Sequence, residues 1–458
     1  MTRKLVSIAV SGVLAAAAGF APTPALAQNA DIDALKQQLA ALSAKIDALE
    51  KAQAQTKKTS DEAQATADHT ADVVAQNKAA LSFSGDLRYR NESFDVQYVD
   101  HDRNRDRIRA RFNANFRVND TITGQFGIST GSTDPRSGNQ TLDGQNSRKD
   151  FDLDVAYVTW APTTTTKITL GKQRYAWTRT GSLFYDNDVN PEGISFNYAT
   201  GNFFGGVFYD WLAERALSFG NVTTGTNVDS IMFGAQIGYR IPISDAARLT
   251  LAATYMDFDG VQGYNPLFGG SSFGNTTTTS AAVCNRSLPA GTACLLSDYD
   301  IAEGSADLTW SVGGKPLRFF VDYAKNTAAE ANPVANDKLD TAYAVGTLFN
   351  AASATKGTWE VGLLYQQIEK DSLFGQLVDS DFGDGNTDTK GFVIRGAYTV
   401  ARNWTINGTL FLNELSNDVP QTVTVFNETT PAVYDTRNIT NVFDRDYKRL
   451  QLDLNFRF

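Results

Sequence analysis

From Leu81 the chain alternates apolar and polar residues with a period of two. Phe83, Gly85, Leu87 and Tyr89 are interleaved with Ser84, Asp86, Arg88 and Arg90. Ile108, Ala110, Phe112, Ala114, Phe116 and Val118 then alternate with Arg107, Arg109, Arg111, Asn113, Asn115 and Arg117. An alternating run of about ten residues is the length a tilted strand needs to cross a bilayer, whereas strands of soluble sheets are usually nearer five or six. Sixteen such segments can be placed, centred near Leu87, Phe112, Phe126, Val155, Leu170, Phe196, Val207, Ala235, Leu251, Ala306, Val321, Val345, Leu363, Ile394, Ile406 and Leu454. Those near Leu170, Val207 and Leu251 alternate least cleanly, which leaves counts of fourteen or eighteen open.

The connections carry a second pattern. Even-numbered strands are followed by short turns such as Asn119-Asp120, Ala161 to Thr166 and Thr200 to Asn202. Odd-numbered strands are followed by long polar loops, among them Gly131–Lys149, Tyr175–Pro191, Asp259–Asp298, Glu369–Asp388 and Glu414–Asp446. Short turns on one rim and long loops on the other define an outer-membrane β-barrel. The expected fold is therefore all-β, a transmembrane antiparallel barrel over residues 81–458. An even strand count puts both barrel ends on the short-turn, periplasmic rim.

The first eighty residues follow other rules. Arg3 and Lys4 precede an apolar run from Leu5 to Phe20, and Ala25-Leu26-Ala27 supplies a small-x-small cleavage site before Gln28, so residues 1–27 read as a secretory signal peptide. Ile32, Leu35, Leu39, Leu42, Ile46 and Leu49 then recur at spacings of three and four, the heptad seam of a short coiled coil. Three heptads are marginal as a lone helix, so residues 28–80 are expected to form a periplasmic helix and linker that self-associates; the plainer alternative packs it as a single amphipathic helix.

Composition removes several classes. Two His, His69 and His101, disfavour His-based metal sites and catalysis. A net charge of −10 disfavours nucleic acid as a partner. Gly270-Ser271-Ser272-Phe273-Gly274 satisfies G-x-S-x-G but sits in a Gly/Ser/Thr loop without a strand–turn–helix context. No catalytic residues, cofactor or metal are expected, and the chain is not expected to be an enzyme. Cys284 and Cys294, ten apart in the longest loop of an exported chain, are expected to form a disulfide.

In such a barrel the polar face lines the lumen. This places Arg88, Arg90, Arg105, Arg107, Arg109, Arg111 and Arg117 inside on two adjacent strands, and Asp150, Asp152 and Asp154 inside on the fourth. They are either a basic wall opposed by an acidic strip, which would tune ion passage, or charges that merely neutralise one another. Tyr175–Pro191 holds Trp177, Arg179, Phe184, Tyr185, Asp186 and Asp188 and is expected to fold inward as a constriction. Asp186-x-Asp188-x-Asn190 begins like a calcium loop, but Pro191 and Asn197 occupy positions where an EF-hand needs Gly and Glu. A weaker cation site there, or in Asp379-x-Asp381…Asp384…Asp388, stays open. The last strand alternates Leu450, Leu452, Leu454 and Phe456 and stops on Phe458, which resembles the terminal signal read by the barrel-assembly machinery.

The chain also resembles the "putative porin" family of proteobacterial outer membranes. The likeness is carried by SGDLRYR (Ser84–Arg90), RDRIRARF (Arg105–Phe112), VND (Val118–Asp120), TGSTDP (Thr130–Pro135), NQTLDG (Asn139–Gly144), SRKDFDLDVAYVTW (Ser147–Trp160) and DNDVNPEG (Asp186–Gly193). It is specific over Ser82–Gly193 and generic beyond, and the insertion Asp259–Asp298 looks peculiar to this chain. The resemblance implies passive diffusion of small hydrophilic solutes across the outer membrane of a Gram-negative bacterium. The expected partners are outer-membrane lipid and two further copies in a homotrimer. A competing expectation makes the barrel an anchor and the helix a tether to peptidoglycan.

Overall fold

The computed structural model describes residues 36–37, 39–59, 80–99, 102–214, 229–268, 270–285, 288–289, 291–430 and 433–458. The signal peptide, the linker and the first seam positions, Ile32 and Leu35, lie outside them. The chain divides into two units, Met1–Asn77 and Lys78–Phe458.

The first unit contains one helix over 39–59, with Leu39, Leu42, Ile46 and Leu49 all exposed. A single helix stands where a coiled coil was expected. The physical reason is that a heptad seam needs a second seam to bury it, and a single copy of the chain carries one such segment.

The second unit is a closed antiparallel barrel. Its sixteen strands are β1 (Leu81–Val96), β2 (Arg103–Arg117), β3 (Ile122–Thr130), β4 (Phe151–Trp160), β5 (Thr166–Lys172), β6 (Glu192–Thr200), β7 (Phe203–Ala213), β8 (Ser230–Ser244), β9 (Ala247–Asp259), β10 (Tyr299–Val312), β11 (Lys315–Asn326), β12 (Thr341–Asn350), β13 (Trp359–Ile368), β14 (Thr389–Ala401), β15 (Trp404–Leu415) and β16 (Arg445–Arg457). Each pairs with the next, and β1 pairs with β16 in the register Arg90↔Asp453. Closure satisfies every edge, which a hydrocarbon surrounding requires. Every centre placed from the sequence falls within its strand. Phe458 completes the seam: its N–H and C=O exchange bonds with Gly85 at 3.1 and 3.0 Å. A Cβ at Gly85 would lie 2.4 Å from the Phe458 ring, so only glycine admits it.

The outward face is apolar and exposed, as in Phe83, Leu87, Phe126, Val207, Ile237, Val321, Leu363 and Ile394. Lipid tails cover such a face at no hydrogen-bonding cost. The inward face is divided. Along β7–β13 it is largely apolar: Phe208, Met232, Met256, Phe258, Tyr299, Ile301, Phe320, Leu364 and Ile368 form one buried cluster with residues of two inserted loops. Inward Phe204 and Phe208 lie over Gly238 and Gly234 of the next strand, where a Cβ would come within 2.1 Å of each ring. Along β1, β2 and β16 the inward face is charged.

Candidate functional site: the lumen

The inward rungs of β1 and β2 carry the arginine ladder in register, Arg88↔Arg109 and Arg90↔Arg107. Like charges opposite one another repel unless compensated, and the compensation is extensive. Arg90 makes a bidentate pair with Asp453, at 2.6 and 2.9 Å, and reaches Asp381 at 3.0 Å. Arg109 binds Asp86 at 3.0 Å and Asp188 at 3.2 Å. Arg111 shares both, at 2.8 and 3.5 Å. Arg105 pairs with Glu92, and Arg107 lies 3.8 Å from the same carboxylate while donating to the Asn139 carbonyl at 3.0 Å. Arg88 donates to the Asn139 side chain at 2.6 Å. Arg117 is exposed toward the short-turn end, where it lines a cavity of about 630 Å³.

The acidic strip on β4 does not supply this compensation. Asp150 precedes the strand and is exposed, and Asp152 is exposed as well. A register shift between Gly127 and Ile128 of β3 makes Asp154 an extra, bulged residue. A bulge reverses the side-chain parity beyond it, so Val155 points inward and is fully buried. Asp154 accepts from Asn190 at 2.7 Å and pairs with Arg174 at 3.5 Å, and it borders one cavity with Asp152, Asp188 and Arg111 of the ladder. The ladder's ion-pair partners are other carboxylates. They are Asp86, Glu92 and Asp453 from the strands, and Asp188 and Asp381 from two loops.

The loop after β5 does fold inward. Trp177, Phe184, Tyr185 and Val189 are buried in the apolar cluster, with Trp177 stacked on Phe208 at 4.6 Å. Polar anchors tie the loop to the far wall. Thr180 and Ser182 donate to Asp322 of β11 at 2.8 and 2.7 Å, the Leu183 N–H to Gln366 of β13 at 2.8 Å, and the Tyr185 hydroxyl to Glu303 of β10 at 3.1 Å. Arg179 donates to the Tyr185 carbonyl and to Asn187, which fixes the loop internally.

A second inserted loop, 369–388, was read from the sequence as a polar external segment. Leu373, Phe374, Leu377, Val378 and Phe382 are instead buried in the lumen. The signal lay in those five apolar side chains, which a solvated loop has no reason to carry. The two loops meet where the Asp186 N–H donates to the Leu377 carbonyl at 2.9 Å and the Ser380 N–H to Asp186 at 2.8 Å. Between them and the ladder runs a cavity of about 390 Å³ bordered by Arg88, Asp186, Asp188, Asp381, Arg395 and Asp453. Outside the barrel wall proper, Cys284 and Cys294 are joined, with Cα atoms 5.6 Å apart.

Four loop carboxyls behave in two ways. Burial pushes Asp188 up, but Arg109, Arg88 and Arg111 outweigh it and hold the group below the usual carboxylate range. Burial is likewise overcome at Asp381 by Arg449 and Arg90, which hold it far below that range. At Asp186 burial and the neighbouring Asp379 raise the group well above it. At Asp379 burial and Asp381 push it up to about 7. A carboxyl raised in the docked state binds protons that the released loop does not, so docking is favoured fully at acid pH. That contribution is lost as pH rises through about 7. The arginine-held pair titrates below the ordinary range and leaves this window alone. Loop release, read as the mobility of a spin label placed on 369–388, should be greater at pH 8 than at pH 5, and Asp379→Asn should flatten the difference. Identical spectra at both values would show that the loop contact is not titrated.

A closed barrel of sixteen strands, lipid-facing outside and narrowed inside by a loop after the fifth strand, defines an outer-membrane barrel protein. The family described as "Putative porin" matches residues 45–287 and 295–428, and the chain belongs to it, placing it in the outer membrane of a Gram-negative bacterium. The likeness thus extends well beyond Ser82–Gly193, and only 288–294 within the long insertion interrupts it. Pseudomonas putida OprB shares the fold at a TM-score of 0.52 and 12% identity, over 85% of this chain and 97% of that one. Vibrio cholerae OmpT aligns at 0.44 with 12% identity, over 82% and 97%. A variant of the Rh. blastica porin aligns at 0.42 with 11% identity, over 82% and 100%. No curated protein matches the sequence.

Proposed function

We propose that the protein is a porin: a passive channel for small hydrophilic solutes and ions, with no catalytic role. The observation that carries this reading is the water-accessible, charge-lined space left between the arginine ladder and the inserted loops. A barrel used only as an anchor gains nothing from burying so many charges around an aqueous path, since each must be desolvated and paired. The helix over 39–59 lies in the periplasm, and its exposed Leu39, Leu42, Ile46 and Leu49 associate with the same seam in two further copies to form a homotrimer. Phe458 serves the barrel-assembly machinery as its recognition residue.

Purified full-length protein in planar bilayers tests both parts. A trimer of independent pores should give stepwise conductance in groups of three equal levels. Steps that come singly would remove the trimer. If no stepwise conductance appears, the barrel is not a channel and the peptidoglycan tether becomes the better account.

A further inference from the structure

We infer that the channel carries a binding site for small organic carboxylates, formed by Arg174, Arg179, Arg318 and Arg395 against the inserted loop after β5; this deepens the porin reading and rests on it. These four residues line a second cavity of about 440 Å³ that has no carboxylate in its lining. It shares Leu183, Asn187 and Arg395 with the cavity beside the ladder, so the two are neighbours. The first is bordered by Asp and Glu as well as Arg, whereas every charged group lining the second is an arginine.

Exposure separates these arginines from the most deeply paired ones of the charged wall. The side chains of Arg90, Arg109 and Arg449 are 6%, 10% and 1% exposed, locked among their carboxylates. Those of Arg318, Arg395 and Arg174 are 31%, 38% and 42% exposed. Each has one carboxylate behind it, Asp307, Glu360 and Asp154 respectively, the last two at 3.4 and 3.5 Å. A guanidinium has five N–H donors, so one acid at the wall leaves donors facing the water. Arg179 has no carboxylate within ion-pair distance among the described residues. Its guanidinium is held over the Tyr175 ring at 4.3 Å, which fixes it without neutralising it.

The remaining lining says what kind of anion fits. Planar guanidinium forks match a carboxylate in two parallel hydrogen bonds. Tyr175 and Leu183, both partly exposed, offer a small apolar surface to the carbon skeleton of an organic acid; inorganic phosphate has no such part.

The test uses full-length protein in planar bilayers with succinate and phosphate as separate probes. Wild type should prefer chloride to potassium, and succinate should reduce its current at concentrations where phosphate does not. Arg318→Ser with Arg395→Ser should need at least about tenfold more succinate for the same block, the loss expected for one strong charged contact. Arg318→Lys keeps the charge but not the fork, so it should retain anion preference and lose most of the block. Heat-modifiable migration on gels checks that each variant is folded. Channels that conduct but ignore succinate, or that respond equally to phosphate, overturn the carboxylate site and leave the porin reading intact. Absence of conductance in wild type overturns the porin reading itself, and the site with it.

Discussion

Phe184→Ala combined with Asp322→Ala should raise single-channel conductance severalfold while leaving the barrel folded. Phe184 is fully buried where the inserted loop meets the apolar lining of β7–β13, and deleting such a ring costs about 3–5 kcal/mol. Asp322 accepts from both Thr180 and Ser182, and losing that shared acceptor strands two hydroxyls at about 1–3 kcal/mol each if they stay buried. Both losses fall on the loop, not on the strand ladder. Exposed to water, the freed hydroxyls and backbone find new partners, so the released loop is the cheaper state. The measurement is conductance at fixed salt, with gel migration as the folding control. A folded variant with wild-type conductance would mean that these anchors do not hold the constriction.

Arg449→Ala should be the most destabilising single substitution in the charged half of the lumen. Its guanidinium is 1% exposed and bridges Glu92 at 2.6 Å and Asp381 at 2.7 Å. Glu92 is wholly buried and lies on β1, Arg449 lies on β16, and Asp381 comes from the second inserted loop. Removing one member of a buried ion network leaves its partners charged and unpaired, at a cost of about 3–5 kcal/mol. Replacing two members by uncharged groups of similar size is milder, so Arg449→Met with Glu92→Gln should recover part of the loss. The urea midpoint for loss of the folded, fast-migrating band reads this directly. Equal midpoints for wild type and Arg449→Ala would show that Arg90 and Arg105 suffice for the two acids.

The strands were legible because lipid permits one answer on the outer face: every second residue must be apolar, whatever the interior does. The weak alternation near Val207 and Leu251 has a physical cause on the other face. There the lumen is filled by Phe204, Phe208, Met256 and Phe258, so inward positions are apolar too and the period fades. The ladder was legible as inward-facing, but its partners were not. Arg90 meets Asp453 across 363 residues of sequence, a contact that exists only once the barrel closes. The bulge at Asp154 left no mark in the sequence; it turns Val155 inward and leaves the parity of Asp150 and Asp152 before it unchanged. The inserted loop 369–388 was legible in principle through Leu373, Phe374 and Leu377, but its Asp residues drew the reading toward a solvated loop.

The double-sided apolar strands have a consequence before the protein reaches its membrane. A chain in transit through the periplasm is unfolded and surrounded by water. Strands like β1 and β2 then offer water a charged residue at every second step. The stretch 203–213 and 230–259 offers Phe203 beside Phe204, Val207 beside Phe208, and Met232 beside Phe233, with little to keep neighbouring chains apart. Such windows are where unfolded chains stick to one another. Protection from aggregation before insertion is therefore needed most over the middle of this sequence, and that need sets a limit on how much more apolar the wall can become.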